Sequence, residues 1–223
     1  MDRCAYCGEI VAKGAGKTRD HVFPRSLYPV SRRRTCVPIT VPACEACNRR
    51  WTDDEEHFRN VVNSAGDFNA PAAELFADKI RRSLRRQPGE RRILDLLRIS
   101  EAVEVDGQPR LRIYPARDPR VLGVLRKIVV GLCHHHGFIT GLGEERIWVD
   151  VLRFGLPNEY LARLHHEERE ADIVEYWYGV HTEPGVHSVW ILRFYGRTTF
   201  VALVSAFEDG RLPWAREADG TPG

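Results

Sequence analysis

The sequence predicts a mixed α+β fold, and three observations carry the prediction. Two CxxC pairs, Cys4–Cys7 and Cys44–Cys47, bracket a short β-prone segment in the first 60 residues. A helical pattern with a start signal at Asp118-Pro119 and a stop at Gly137 lies near the middle of the chain. Three strand-like runs, 173–178, 188–195 and 198–205, come late, the last two separated by Gly196-Arg197. The expected organisation is a cysteine-stapled segment over residues 1–64, a linker, a region of helices and antiparallel strands over 72–208, and a flexible tail at 209–223.

At 223 residues and 43% hydrophobic content the chain can bury a sizeable core. The opening Met1-Asp2-Arg3-Cys4 shows no basic stretch followed by an apolar one. The strongest apolar run, Phe200 to Phe207, is too short to span a bilayer. A cytoplasmic protein with no membrane partner is therefore expected, and in that reducing compartment six cysteines point to metal binding rather than disulfides. Cys36 and Cys133, outside the pairs, are read as packing thiols. The net charge of +2 is unevenly spread: residues 1–60 carry +3, residues 61–130 carry +5 and residues 131–223 carry −6. A basic first part suits one face that meets a polyanion.

In chain order, Cys4 to Cys7 with Gly8 reads as a metal knuckle, and 13–17 as a loop. Thr18 to Phe23 is a strand that ends at Pro24, so that Asp20 and His21 point to opposite faces. Val37 to Val41 is a second strand. Thr52-Asp53-Asp54-Glu55 matches a capping box, which starts a helix near Asp53 and places His57 in its first turns. Residues 72–86 form an amphipathic helix with Leu75, Phe76, Ile80 and Leu84 on one face, stopped by Gln87-Pro88-Gly89. A shorter helix follows at 91–99, then a hairpin over 102–105 and 110–114 turning at Asp106-Gly107. Beyond the central helix, 147–154 is strand-like and 158–168 helical.

The chemistry concentrates in the first segment. Four thiolates can close a tetrahedral structural Zn²⁺ site, which a segment with few large apolar side chains needs for stability. Phosphodiester hydrolysis requires a divalent ion at the scissile phosphate and a base for the attacking water. Asp20 and His57 are the candidate ligands of that ion, His21 the candidate base, and Asn48 the residue that fixes the loop. One of the acidic residues crowding His57, namely Asp53, Asp54, Glu55 and Glu56, is the alternative ligand. Arg25, Arg32, Arg33, Arg34, Arg49 and Arg50 are candidate phosphate contacts. Arg81, Arg82, Arg85 and Arg86 suit phosphate contact and a solvated face equally. His134-His135-His136 reads as a helix end favoured by the dipole, and His165-His166 and His181 as surface residues.

The constellation CxxC, Asp20-His21, CxxC-Asn48 and His57 resembles the HNH endonucleases. So does the local context Asp20-His21-Val22-Phe23-Pro24-Arg25-Ser26-Leu27. The resemblance covers about 55 residues, and it implies a ββα-metal (HNH) core of two strands and a helix around one divalent ion. It implies His21 as general base, Asp20 and His57 as ligands of Mg²⁺, Mn²⁺ or Ni²⁺, and Asn48 as the loop-ordering residue. Cys4, Cys7, Cys44 and Cys47 would hold zinc. The implied activity is metal-dependent cleavage of DNA, leaving a 5′ phosphate and a 3′ hydroxyl, with RNA left open as substrate. Similarity to bacterial proteins of this group extends to the Lys127–Leu132 helix and to Phe194-Tyr195-Gly196, and adds no chemistry there. The alternative is a zinc-stapled nucleic-acid-binding or adaptor protein without activity. The oligomeric state stays open, a homodimer included.

Overall fold

The computed structural model describes residues 2–11, 17–85, 89–168, 170, 172–181 and 185–212. It is a mixed α+β structure with antiparallel sheets. Strands β1 (Asp2–Arg3) and β2 (Ile10–Val11) form a two-stranded pair beside the hairpin-like pair of β3 (Lys17–His21) and β4 (Thr40–Cys44). In the second pair Lys17 faces Cys44 and His21 faces Thr40. Pro42 is tolerated within β4 because the pair has no third strand to demand its missing N–H.

Helix α1 (Glu45–Arg50) follows β4 directly and turns at Trp51 into α2 (Thr52–Ser64). The expected capping box is not formed. Thr52 already lies within the helix, its hydroxyl donates to the Arg49 carbonyl, and the Trp51 cap uses no side chain. Helix α3 (Ala70–Leu75) passes through a π-helical turn at Phe76–Ile80 into α4 (Arg81–Arg85), burying Leu75 and Ile80 as the amphipathic pattern predicts. The expected stop at Gln87-Pro88 and the side chain of Leu84 lie outside the described residues. Helix α5 (Gly89–Arg98) leads to the hairpin of β5 (Ser100–Val105) and β6 (Gln108–Ile113), whose turn residues Asp106 and Gly107 both have positive φ.

Helix α6 (Pro119–His135) is the axis of the fold. Asp118 caps it by accepting from the Arg120 N–H, and Gly137 at φ +74° follows its end. Val121, Val124, Leu125, Ile128, Val129 and Leu132 are all fully buried, as befits a helix covered on several sides. It packs against α2 and β4 on one side and β7 (Ile147–Val151) on another. Close approach is built into two glycines. A Cβ on Gly131 would lie 2.9 Å from a Val22 methyl, and one on Gly123 would lie 3.1 Å from the Trp51 ring.

The last part is a five-stranded antiparallel sheet of order β7-β11-β10-β9-β8, with β8 at His165–Glu168, β9 at Val174–Val180, β10 at Val186–Phe194 and β11 at Thr198–Ser205. The expected helix over 158–168 shrinks to α7 (Asn158–Leu161), and His165–Glu168 instead pairs with β9. One hydrophobic cluster joins Val22, Phe23 and Phe58 to Leu125, Trp190 and Phe194, so the expected segments 1–64 and 72–208 share a core. The turn after β10 reinforces the junction: Arg197 donates to the carbonyls of Ala65 and Asn63 at the end of α2. Most of the 209–223 tail, from 213 onward, is outside the described residues. Among the described residues no helix is long and apolar enough to cross a membrane.

Candidate functional site

The two ends of the β3–β4 pair carry different chemistry. At the Cys44 end, the sulfurs of Cys4, Cys7, Cys44 and Cys47 all lie within 4.8 Å of one another, and Cys7 Sγ and Cys44 Sγ are 4.0 Å apart. A tetrahedron with metal–sulfur bonds of about 2.3 Å has edges of about 3.8 Å, so the cluster could hold a metal ion such as zinc. The chain prepares the sulfurs locally. Gly8, at φ +74°, closes the first knuckle with its N–H on the Cys4 carbonyl. The Cys44 N–H points at Cys4 Sγ and the Cys47 N–H at Cys44 Sγ, each at 3.4 Å. Burial raises the Cys4 thiol, but backbone N–H groups of Cys7, Cys44 and Tyr6 outweigh it and bring the pKa down to about 7, toward the thiolate.

At the His21 end, Asp20 is buried and Lys127 of α6 reaches it. Lys127 Nζ lies 2.7 Å from Asp20 Oδ2, 2.6 Å from Glu55 Oε1 and 2.9 Å from the His21 carbonyl. Three donors therefore meet three oxygens, and the side chain is only 1% exposed. Tyr6 adds a 2.5 Å hydrogen bond from its hydroxyl to Asp20 Oδ2, and burial together with the Asp20 charge pushes its pKa far up, so it stays a phenol and a donor. Glu55 has its pKa raised by burial, with the Lys127 charge opposing.

His21, next to Asp20 on the strand, is partly exposed. Its imidazole makes no side-chain hydrogen bond among the described residues. Burial lowers its pKa, the Asp20 charge pulls the other way, and Arg25 and Lys127 reinforce the lowering, so the ring is neutral at neutral pH. Asn48 on α1 donates to the Thr18 hydroxyl at 3.0 Å, which in turn donates to the Ala43 carbonyl. It thereby ties the helix to both strands of the pair.

His57 goes elsewhere. Glu55 and His57 are two residues apart on α2, about 200° around the helix, so they leave it on different flanks. His57 Nε2 is 2.6 Å from Asp118 Oδ2 and 3.1 Å from Arg120, both side chains of the pair being 6% exposed. Asp118, the cap of α6, lies nine residues before Lys127, about 13 Å along the helix axis. The arrangement gives Asp20 and His57 separate partners rather than a common ion, so that pair does not fit the expected divalent site. The carboxylate that joins Asp20 is Glu55, one of the acidic residues crowding His57. Burial opposes the charge on Asp118, yet hydrogen bonds from His57 and Arg120 hold its carboxyl well below the usual range. Arg91, Arg92, Asp95 and Arg120 line a cavity of about 480 Å³ above His57.

The arginines divide too. Arg32 pairs with Asp172, Arg49 with Glu45 and Arg50 with Glu144. Arg33 donates to the carbonyls of Tyr28 and Arg25, holding the loop between β3 and β4. Arg25 and Arg34 are exposed and have no ion pair among the described residues, and Arg25 lies close enough to His21 to act on its charge. Lys127 was hidden from sequence reasoning because it reads as one more residue of an apolar helix. A lysine inside a buried pattern was the available signal. Compared with known proteins, the chain matches no family model, no curated protein and no solved structure.

Proposed function

We propose that the chain is a nucleic-acid phosphodiester hydrolase of the HNH type, with DNA as substrate and His21 as general base. The observation that carries the reading is the position of His21. A neutral, partly exposed imidazole stands at the end of a strand pair whose other end is clamped by four cysteines, and Asn48 locks that pair to the following helix. His21 takes the proton of the attacking water, a step for which a neutral imidazole is suited. Exposed Arg25 beside it and Arg34 on the same loop meet backbone phosphates.

The oxygens of Asp20, Glu55 and the His21 carbonyl converge on one cationic point, a donor set that suits a hard divalent ion such as Mg²⁺ or Mn²⁺. Bound there, the ion would polarise the scissile phosphate and offset charge on the leaving oxygen. A second reading, a zinc-stapled nucleic-acid-binding or adaptor protein without catalysis, is favoured by one observation: Lys127 already satisfies those oxygens.

The deciding experiment incubates zinc-loaded protein and a His21→Ala variant with supercoiled DNA, and in parallel RNA, with Mg²⁺, Mn²⁺ or Ni²⁺. The hydrolase reading expects cleavage that falls by about 10²–10⁴-fold in the variant. Equal cleavage by both proteins would remove His21 from the chemistry. Salt-dependent binding without cutting under any ion would establish the adaptor reading.

A further inference from the structure

We propose that Lys127 is the resident cation of the Asp20–Glu55 pocket, so that a divalent ion binds there only by displacing its ammonium. The inference rests on the reading of Asp20 and Glu55 as ion donors. Three features of the chain argue for it. The ammonium makes three contacts of 2.6–2.9 Å, and two are with carboxylates, Asp20 buried and Glu55 partly buried, whose charge it offsets. Tyr6 completes the shell, its hydroxyl on Asp20 and its ring 5.8 Å from the ammonium. Lys127 also cannot drift off easily, because it rises from the middle of the most buried helix of the fold, two turns from either end.

The consequence is a competition between two cations for one set of oxygens. In the free protein the single ammonium offsets part of the charge of the two carboxylates and holds both in place. A divalent ion gains the same oxygens only after the ammonium gives them up. The affinity of the pocket is therefore lower than its carboxylates alone would set.

The test is Mn²⁺ binding to zinc-loaded protein without nucleic acid, with free Mn²⁺ read by electron paramagnetic resonance. Lys127→Met should bind one Mn²⁺ about tenfold or more tighter than the wild type, and adding Glu55→Gln should cancel the gain. Lys127→Arg, which keeps the charge, should stay at wild-type affinity. Mn²⁺ binding in Lys127→Met no tighter than in the wild type would overturn the proposal, and so would tight binding in Lys127→Arg. If circular dichroism shows Lys127→Met unfolded, Lys127→Gln, uncharged but still a donor, is read by the same criterion. Cleavage plays no part in this readout. A variant that gains Mn²⁺ in a protein that never cuts leaves this inference standing and sinks only the hydrolase reading.

Discussion

The two ends of the β3–β4 pair meet positive charge in opposite ways. At one end four sulfurs from two local CxxC pairs lie close enough together to hold a metal. At the other, two carboxylates surround an ammonium that the chain supplies from residue 127. The difference teaches that only the first end is organised by neighbours in sequence. The second draws on residues 6, 20, 55 and 127, and exists only once α6 has docked. The two histidines repeat the contrast: His21 stays partly exposed and uncommitted, whereas His57 is buried against Asp118 and Arg120.

The strongest way to break the comparison is at the sulfur end. Cys44→Ser should lose zinc binding and lower the thermal stability of the chain strongly, because a structural zinc contributes on the order of 10 kcal/mol in small zinc peptides. Full zinc content with an unchanged melt would show that the cluster is no staple. At the oxygen end, Lys127→Met should cost about 3–5 kcal/mol in denaturant titration, since it strands the buried Asp20 carboxylate and the partly buried Glu55. Lys127→Met with Glu55→Gln should recover part of it. If the single variant were as stable as the wild type, the ammonium would hold nothing together.

His57→Ala should cost about 1.5–3 kcal/mol through its charged hydrogen bond to Asp118, whereas His21→Ala should leave stability within about 0.5 kcal/mol. Similar losses at both positions would erase the distinction between them. The same Asp118 gives a pH prediction. Its folded pKa lies below the unfolded value of about 3.9, so its stabilisation is present above that pH and fades as the pH falls toward the folded pKa. Asp118→Asn should lower stability at neutral pH and flatten the acid side of the stability profile. Smallest, Asn48→Ala should cost about 1 kcal/mol, the worth of a single partly buried hydrogen bond.

Local signals were legible where the responsible atoms are neighbours in sequence. The CxxC pairs, the Asp118-Pro119 start and Gly137 stop of α6, and the Asp106-Gly107 hairpin turn are all of this kind. Glu55 matches a capping box in the sequence, but its partner, Lys127, is 72 residues away. The phase of His57 was not calculable, since it depends on the bend at Trp51 between α1 and α2. His165–Glu168 carries no strand alternation, and becomes a strand only by pairing with β9.

The sequence by itself determined a mixed α+β chain with a four-cysteine cluster and an Asp20-His21 pair at a strand end, because spacing and side-chain chemistry are enough for those. Only the tertiary structure decided which carboxylate joins Asp20, where His57 goes, and that a lysine stands between the acids. Those outcomes depend on how far α6 sinks against Val22 at Gly131 and against Trp51 at Gly123. That depth is set by packing across the whole core and by no local pattern.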